Sequence, residues 1–162
     1  MGAHWTRHDA QGDRPLHMSP KKRKRDWATD HVDPQALADA LVARLAPAIA
    51  AGWSLIAGLA SVDLTAPDGR SYGFSTDLRS GWGTNERRLL GLVGDMLNIC
   101  QSEIAEATTE PWPARSDEHY GDFPEPWVGI VGDALHMRYG DGPSLALELE
   151  PINLREIFGS GV

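Results

Sequence analysis

The chain has 162 residues, of which 41% are hydrophobic and 23% are charged, and its formal net charge is −8. That balance is typical of a soluble globular protein, and the length favours one domain with room for a hydrophobic core. The single cysteine excludes an internal disulfide, and no apolar run approaches the roughly 18 residues of a membrane-spanning helix. Residues 1–28 lack the apolar stretch of a signal peptide, so we expect a cytoplasmic protein. The alanine-rich, lysine-poor composition is typical of a bacterial genome of high GC content.

Positive charge is concentrated at the N-terminal end. Seven basic and three acidic residues give residues 1–28 a net charge of +4, which leaves −12 for the rest of the chain. Residues 1–30 show no hydrophobic period, so we expect a disordered basic tail ahead of a single α+β domain over residues 31–162. Adjacent cations release counterions from phosphate backbones, which predicts weak, nonspecific binding of nucleic acid. The candidate residues are Lys21, Lys22, Arg23, Lys24 and Arg25. A solvated tail, a tail that folds back on the acidic body and a nuclear import signal are the alternatives.

The first helix has clear start and stop signals. Asp33 suits the N-cap position and Pro34 the first helical position. Pro47 must kink or end the helix. Between these signals, leucines recur at helical spacing: Leu37, Leu41 and Leu45.

A β-hairpin follows this helix. The stretch 53–59 fits either a buried strand or an extended entry to a sheet. Strands are expected at 59–65 and 70–75, because Ala66-Pro67-Asp68-Gly69 between them is a strong turn sequence. The segment 76–83 is expected to be a flexible connector with Trp82 packed on the body. Its glycines and its position before a helix leave an anion site as the alternative.

The longest regular pattern runs from Thr84 to about Thr109 and predicts an amphipathic helix, with Thr84 or Asn85 as its N-cap. Its apolar arc covers half of the circumference, which suits a helix that lies across a sheet. Gln101 falls on the polar half. The arc contains Leu89, Leu90, Leu92, Val93, Met96, Leu97, Ile99, Cys100 and Ile104, with Cys100 expected to be a buried core thiol.

An irregular segment rich in proline, aromatic residues and acids extends from residue 112 to 127. A loop of this length inside a compact domain is often functional, and exposed aromatic residues favour protein partners. A connector that packs across a sheet edge is the alternative. The predicted partner-binding residues are Trp112, Asp117, Glu118, Tyr120, Asp122 and Trp127.

The C-terminal part has the alternation of a three-stranded meander. Strands are expected at 127–131, 134–139 and 145–149, with turns at Gly132-Asp133 and at 140–143. A short helix is expected at 153–158. The sequence therefore predicts an α+β, two-layer sandwich: one five-stranded, mainly antiparallel sheet, made of the hairpin and the meander, with two main helices on one face. The order of elements resembles that of small secretion chaperones, a resemblance that concerns the fold alone.

No catalytic, metal-binding or cofactor motif is recognisable, so no residue is assigned to these roles. We interpret the chain as a non-enzymatic protein-binding module, either an immunity or inhibitor protein or a small chaperone or adaptor. Its acidic body would attract a basic protein partner. The first alternative is a nucleic-acid-associated protein tethered by Lys21–Arg25. The second is a small enzyme whose pocket lies between the 76–83 and 112–127 loops. No membrane association is expected, and no oligomeric state is indicated.

Overall fold

The computed structural model describes residues 32–80, 82–114 and 123–158. These residues form two main helices and two antiparallel sheets. The helices are α1 (Pro34–Leu45) and α2 (Asn85–Thr108). The first sheet contains β1 (Ser54–Gly58), β2 (Ser61–Thr65) and β3 (Ser71–Ser75). The second contains β4 (Pro126–Val131), β5 (Ala134–Tyr139), β6 (Leu147–Glu148) and β7 (Ile152–Asn153).

Both helices begin where the capping residues predict. The carboxylate of Asp33 accepts hydrogen bonds from the backbone N–H groups of Gln35 and Ala36 at 2.9 and 3.3 Å, which satisfies two donors that the first turn of α1 leaves free. The hydroxyl of Thr84 accepts a bond from the Arg87 N–H at 3.3 Å at the start of α2. Helix α2 ends at Thr108, and the C-cap residue Thr109 has a left-handed φ of 57°.

The first sheet is a meander in the order β1-β2-β3. The predicted hairpin is confirmed as β2 and β3, and the ambiguous stretch before it forms β1, paired in register from Ser54–Thr65 to Gly58–Ser61. Helix α1 packs against β1 and β2. The side chains of the sheet alternate between core and solvent as a half-buried sheet requires. Those packed in or against the core are Leu55, Ala57, Val62, Leu64, Tyr72 and Phe74.

The second sheet is built around β5. Strand β4 pairs along the whole of β5, and β6 and β7 each pair with only two residues of β5. The predicted strand at 145–149 is shorter than expected, since only Leu147–Glu148 are paired, and residues 142–144 before it form a 3₁₀ turn around Pro143. The predicted helix at 153–158 is a 3₁₀ turn over Leu154–Glu156, capped by Asn153.

The α+β class is confirmed, with two main helices and antiparallel strands, but the single five-stranded sheet in a two-layer sandwich is wrong. Within the described ranges, no strand pairing joins β1-β2-β3 to the sheet of β4 to β7. Helix α1 packs on the first sheet, whereas helix α2 packs against β4 of the second sheet. The two sheets are connected through side chains, because one buried apolar cluster includes residues from both helices and both sheets.

The inner face of α2 is the centre of this cluster. Tyr139 of β5 donates a 2.7 Å hydrogen bond to the Leu97 carbonyl, and the Glu103 side chain of α2 is the main cause that raises the pKa of Tyr72 of β3. Two positions differ from the prediction: Gln101 is 6% exposed, whereas Ile99 is 37% exposed. The fully buried residues of this face are Leu89, Val93, Met96, Leu97, Cys100 and Ile104.

Candidate functional site

An open groove of about 770 Å³ lies between the second half of α2, the segment 123–127 and the end of β5. A surface concavity of this size is in the range that accommodates a ligand or part of a peptide. Aromatic, amide and charged side chains line it together. The lining residues are Asn98, Gln101, Phe123, Pro124, Glu125, Pro126, Trp127, Arg138, Gly140, Asp141 and Ser144.

The wall formed by Phe123–Trp127 is fixed to the body by two hydrogen bonds. The buried side chain of Gln101 donates from Nε2 to the Pro124 carbonyl at 2.6 Å. The backbone N–H of Gly140 donates to the Glu125 carbonyl at 2.9 Å. Buried polar groups are costly unless they are paired, so the first of these bonds explains why an amide occupies a buried position of α2.

Trp127 is the principal aromatic side chain of the groove. It lies opposite Arg138 in the β4–β5 register, and the guanidinium carbon of Arg138 stands 4.0 Å from the centre of the indole, within the distance of a cation–π contact. The distal edge of the indole lies over Gly129, where an added Cβ would be 2.3 Å from Cη2. Trp127 is nevertheless 38% exposed.

The rest of the groove combines an exposed ring with charges. Phe123 is 54% exposed at the other end of the wall. Arg138 also donates from Nε to the Gly140 carbonyl at 3.2 Å and lies 3.4 Å from the carboxylate of Asp141. Glu125 is exposed on the same wall. Two exposed aromatic rings and an exposed carboxylate therefore line the same groove.

A smaller cavity of about 320 Å³ lies at the start of α2. Trp82 borders it and is 95% exposed, so the expected packing of this side chain on the body is wrong. Charges of both signs surround it, including Arg88 and Asp95. A hydrogen bond from the side chain of Arg79 is the main cause that lowers the pKa of Asp77 to about 2. The mixed charge gives this cavity no clear preference for an anion.

The structure places the predicted partner-binding residues in different environments. Trp127 is in the groove, whereas Trp112 is half-buried and makes an edge-to-face contact with Tyr139, with ring centres 5.3 Å apart. The other four predicted contacts lie outside the described residues: Asp117, Glu118, Tyr120 and Asp122. The predicted nucleic-acid-binding run also lies outside them: Lys21, Lys22, Arg23, Lys24 and Arg25.

Residues with the potential for chemistry do not converge in the described part of the chain. Burial raises the pKa of Cys100 to about 12, so the thiol remains protonated. His136 is on the outer side of β5, paired with Gly129. Across the described ranges, no three His, Cys, Asp or Glu side chains come close enough together to hold a metal ion. Neither described helix combines the length and apolar character needed to cross a membrane.

Several groove residues were not identified from the sequence, among them Phe123, Glu125 and Arg138. One signal could have found Arg138. The two-residue turn Gly132-Asp133 pairs Val131 with Ala134, and counting back along both strands places Trp127 opposite Arg138. The hairpin register alone therefore predicts a Trp–Arg pair on one face.

No protein-family model matches the chain, and neither curated proteins nor solved structures give a match.

Proposed function

We propose that this protein is a protein-binding module whose partner contacts the groove beside Trp127. The observation that carries the proposal is the exposed indole of Trp127, held between Gly129 and the guanidinium of Arg138 at the edge of the groove. Tryptophan and arginine are over-represented among the residues that dominate binding energy at interfaces. A ring already fixed in one orientation loses little side-chain entropy on binding.

Charge supports a basic partner. The chain outside residues 1–28 has a net charge of −12, and such a field attracts basic surfaces and speeds encounter with them. Glu125 extends this acidic character into the groove, while Arg138 is already engaged with Trp127 and Asp141.

Binding accounts for the groove better than catalysis does. Among its described lining residues there is neither His nor Cys, and its carboxylates, Glu125 and Asp141, are exposed. General acid–base and nucleophilic catalysis both depend on groups whose pKa values are tuned by burial or by close partners.

The test is selection from an unbiased library of random twelve-residue peptides displayed on phage, with the immobilised full chain as bait. We expect enrichment of peptides that contain aliphatic or aromatic residues and arginine or lysine. Affinities of synthetic versions are then measured for the wild type and for Trp127→Ala. The expected loss is at least tenfold, because truncation removes the anchor of the groove.

The matched control is Leu59→Ala. Leu59 is 94% exposed at the tip between β1 and β2 and does not line the groove, so the variant removes exposed apolar surface without changing the site. Equal binding by the wild type and Leu59→Ala, together with weakened binding by Trp127→Ala, supports the proposal. Failure to enrich any peptide, or full binding by Trp127→Ala, would overturn it.

A further inference from the structure

We infer that the groove binds an extended polyproline II segment with an arginine or lysine beside it. This inference rests on the proposed function and specifies the partner segment. Four properties of the groove support it: the backbone bonding of its wall, its two exposed rings, an exposed amide donor and the position of its acidic side chains.

The wall cannot add a β-strand. Strand addition needs free N–H and C=O groups along the receiving edge. Pro124 and Pro126 have no N–H, and the carbonyls of Pro124 and Glu125 already accept bonds from Gln101 and Gly140. The wall therefore recognises a ligand through its side chains, which is how domains that bind proline-rich segments work.

Two exposed aromatic rings line this wall, Phe123 at 54% and Trp127 at 38% exposure. They are four residues apart, so their Cα atoms are separated by no more than roughly 14 Å, within two turns of polyproline II at about 9 Å each. Aromatic-lined grooves are the surfaces on which proline-rich segments dock.

A polyproline II segment also needs hydrogen-bond donors from its receptor, because its carbonyls make no internal bonds. Asn98 is exposed on the side of the groove formed by α2, and its carboxamide provides two N–H donors. Gln101 lies on the same side, but its Nε2 is engaged with Pro124. We therefore assign the donor role to Asn98.

Acidic side chains specify the charge of the ligand. The groove has two acidic side chains, Glu125 and Asp141. Arg138 lies 3.4 Å from the Asp141 carboxylate and partly neutralises it, so Glu125 is the main acidic group that a ligand meets. Glu125 lies between Phe123 and Trp127 in the sequence. A basic residue next to the prolines of the ligand would therefore contact its carboxylate. The expected core is therefore two prolines separated by two residues, flanked by arginine or lysine.

The experiment compares two displayed libraries panned on the full chain. One fixes Pro-x-x-Pro within random flanks, and the other fixes Ala-x-x-Ala in the same frame. We expect the proline library alone to enrich binders and those binders to carry a basic flank. Their affinity should fall at least tenfold for Phe123→Ala and Trp127→Ala and remain unchanged for Leu59→Ala. The Glu125→Gln variant should bind arginine-flanked peptides with lower affinity than the wild type does. This difference in affinity should disappear when the flanking arginine is replaced by glutamine.

Equal enrichment from both libraries, or binders unaffected by Phe123→Ala and Trp127→Ala, would overturn the inference. Its failure is separable from failure of the proposed function. If peptides without the proline core bind and lose affinity in Trp127→Ala, the proposed function stands and only the polyproline II preference fails. If no peptide depends on the groove residues for binding, both the proposed function and this inference fail. Far-UV circular dichroism of each variant verifies that the fold is retained.

Discussion

The most informative perturbation of the groove is Gly129→Ala. A Cβ at this position would lie 2.3 and 2.4 Å from Cη2 and Cζ2 of Trp127, against about 3.5 Å for carbon atoms in ordinary contact. The indole must therefore shift by about 1 Å or more, which disturbs its contact with the guanidinium that now stands 4.0 Å from its centre. Since the ring is exposed on one side, it can move into solvent without disturbing the sheet.

Two free energies of similar size then oppose each other. Loss of an exposed cation–π contact costs about 0.5–1 kcal/mol. Replacing a strand glycine by alanine stabilises by about the same amount, because glycine loses more conformational entropy on folding. Gly129→Ala should therefore leave the free energy of unfolding nearly unchanged in the wild type. In the Trp127→Ala background there is no clash, and the same substitution should stabilise the protein by about 0.5–1 kcal/mol.

The assay is urea unfolding of the four proteins of this double-mutant cycle, followed by far-UV circular dichroism. Additivity of the two substitutions to within about 0.3 kcal/mol, the tolerance of independent sites, would refute the placement of the indole over Gly129. A second readout is the upfield shift that the indole ring imposes on the side-chain protons of Arg138. This shift should be lost in Gly129→Ala, and its persistence would contradict the reasoning in the same way.

Three other outcomes follow from the core and the surface. Tyr139→Phe removes the buried hydroxyl that donates to the Leu97 carbonyl, so it should lower the free energy of unfolding by about 1 kcal/mol in urea titrations; an unchanged midpoint would show that this bond does not stabilise the fold. Cys100, whose pKa burial raises to about 12, should not react with a disulfide reagent at pH 8 until urea unfolds the protein, and rapid labelling of the native state would contradict its burial. Arg79→Ala should raise the pKa of Asp77 from about 2 towards the ordinary 3.8, so that in carboxyl NMR titrations the carboxylate is protonated at a higher pH than in the wild type; a persistent value near 2 would exclude Arg79 as the cause.

Elements defined by neighbouring residues could be predicted from the sequence. Asp33 and Pro34 mark the start of α1, and Thr84 marks the start of α2, because capping is a local hydrogen-bonding requirement. The hairpin of β2 and β3 followed from the turn at 66–69. Each signal lies within a few residues of the element that it determines, so no knowledge of the tertiary structure was needed.

Features that depend on distant residues could not be predicted in the same way. The alternating pattern that indicates strands carries no information on which strands share hydrogen bonds, so it does not distinguish one five-stranded sheet from the two sheets observed. Gln101 is buried because the segment around Pro124 covers it, and no helical period contains that information. The groove combines residues from α2, the Phe123–Trp127 wall and β5. Of these residues, only Trp127 is among the partner-binding residues that the sequence predicts.

The two ends of the described body meet in an isolated β-bridge between Val32 and Phe158, and the Asp33 N–H donates to the Ile157 carbonyl at 2.8 Å. A domain fused ahead of residue 32 would therefore emerge beside one fused after residue 158, and both would occupy the same side of the protein. The same closeness makes the chain suited to circular permutation. A short linker could join these ends, and new termini opened in the exposed turn at 67–69 would interrupt no strand.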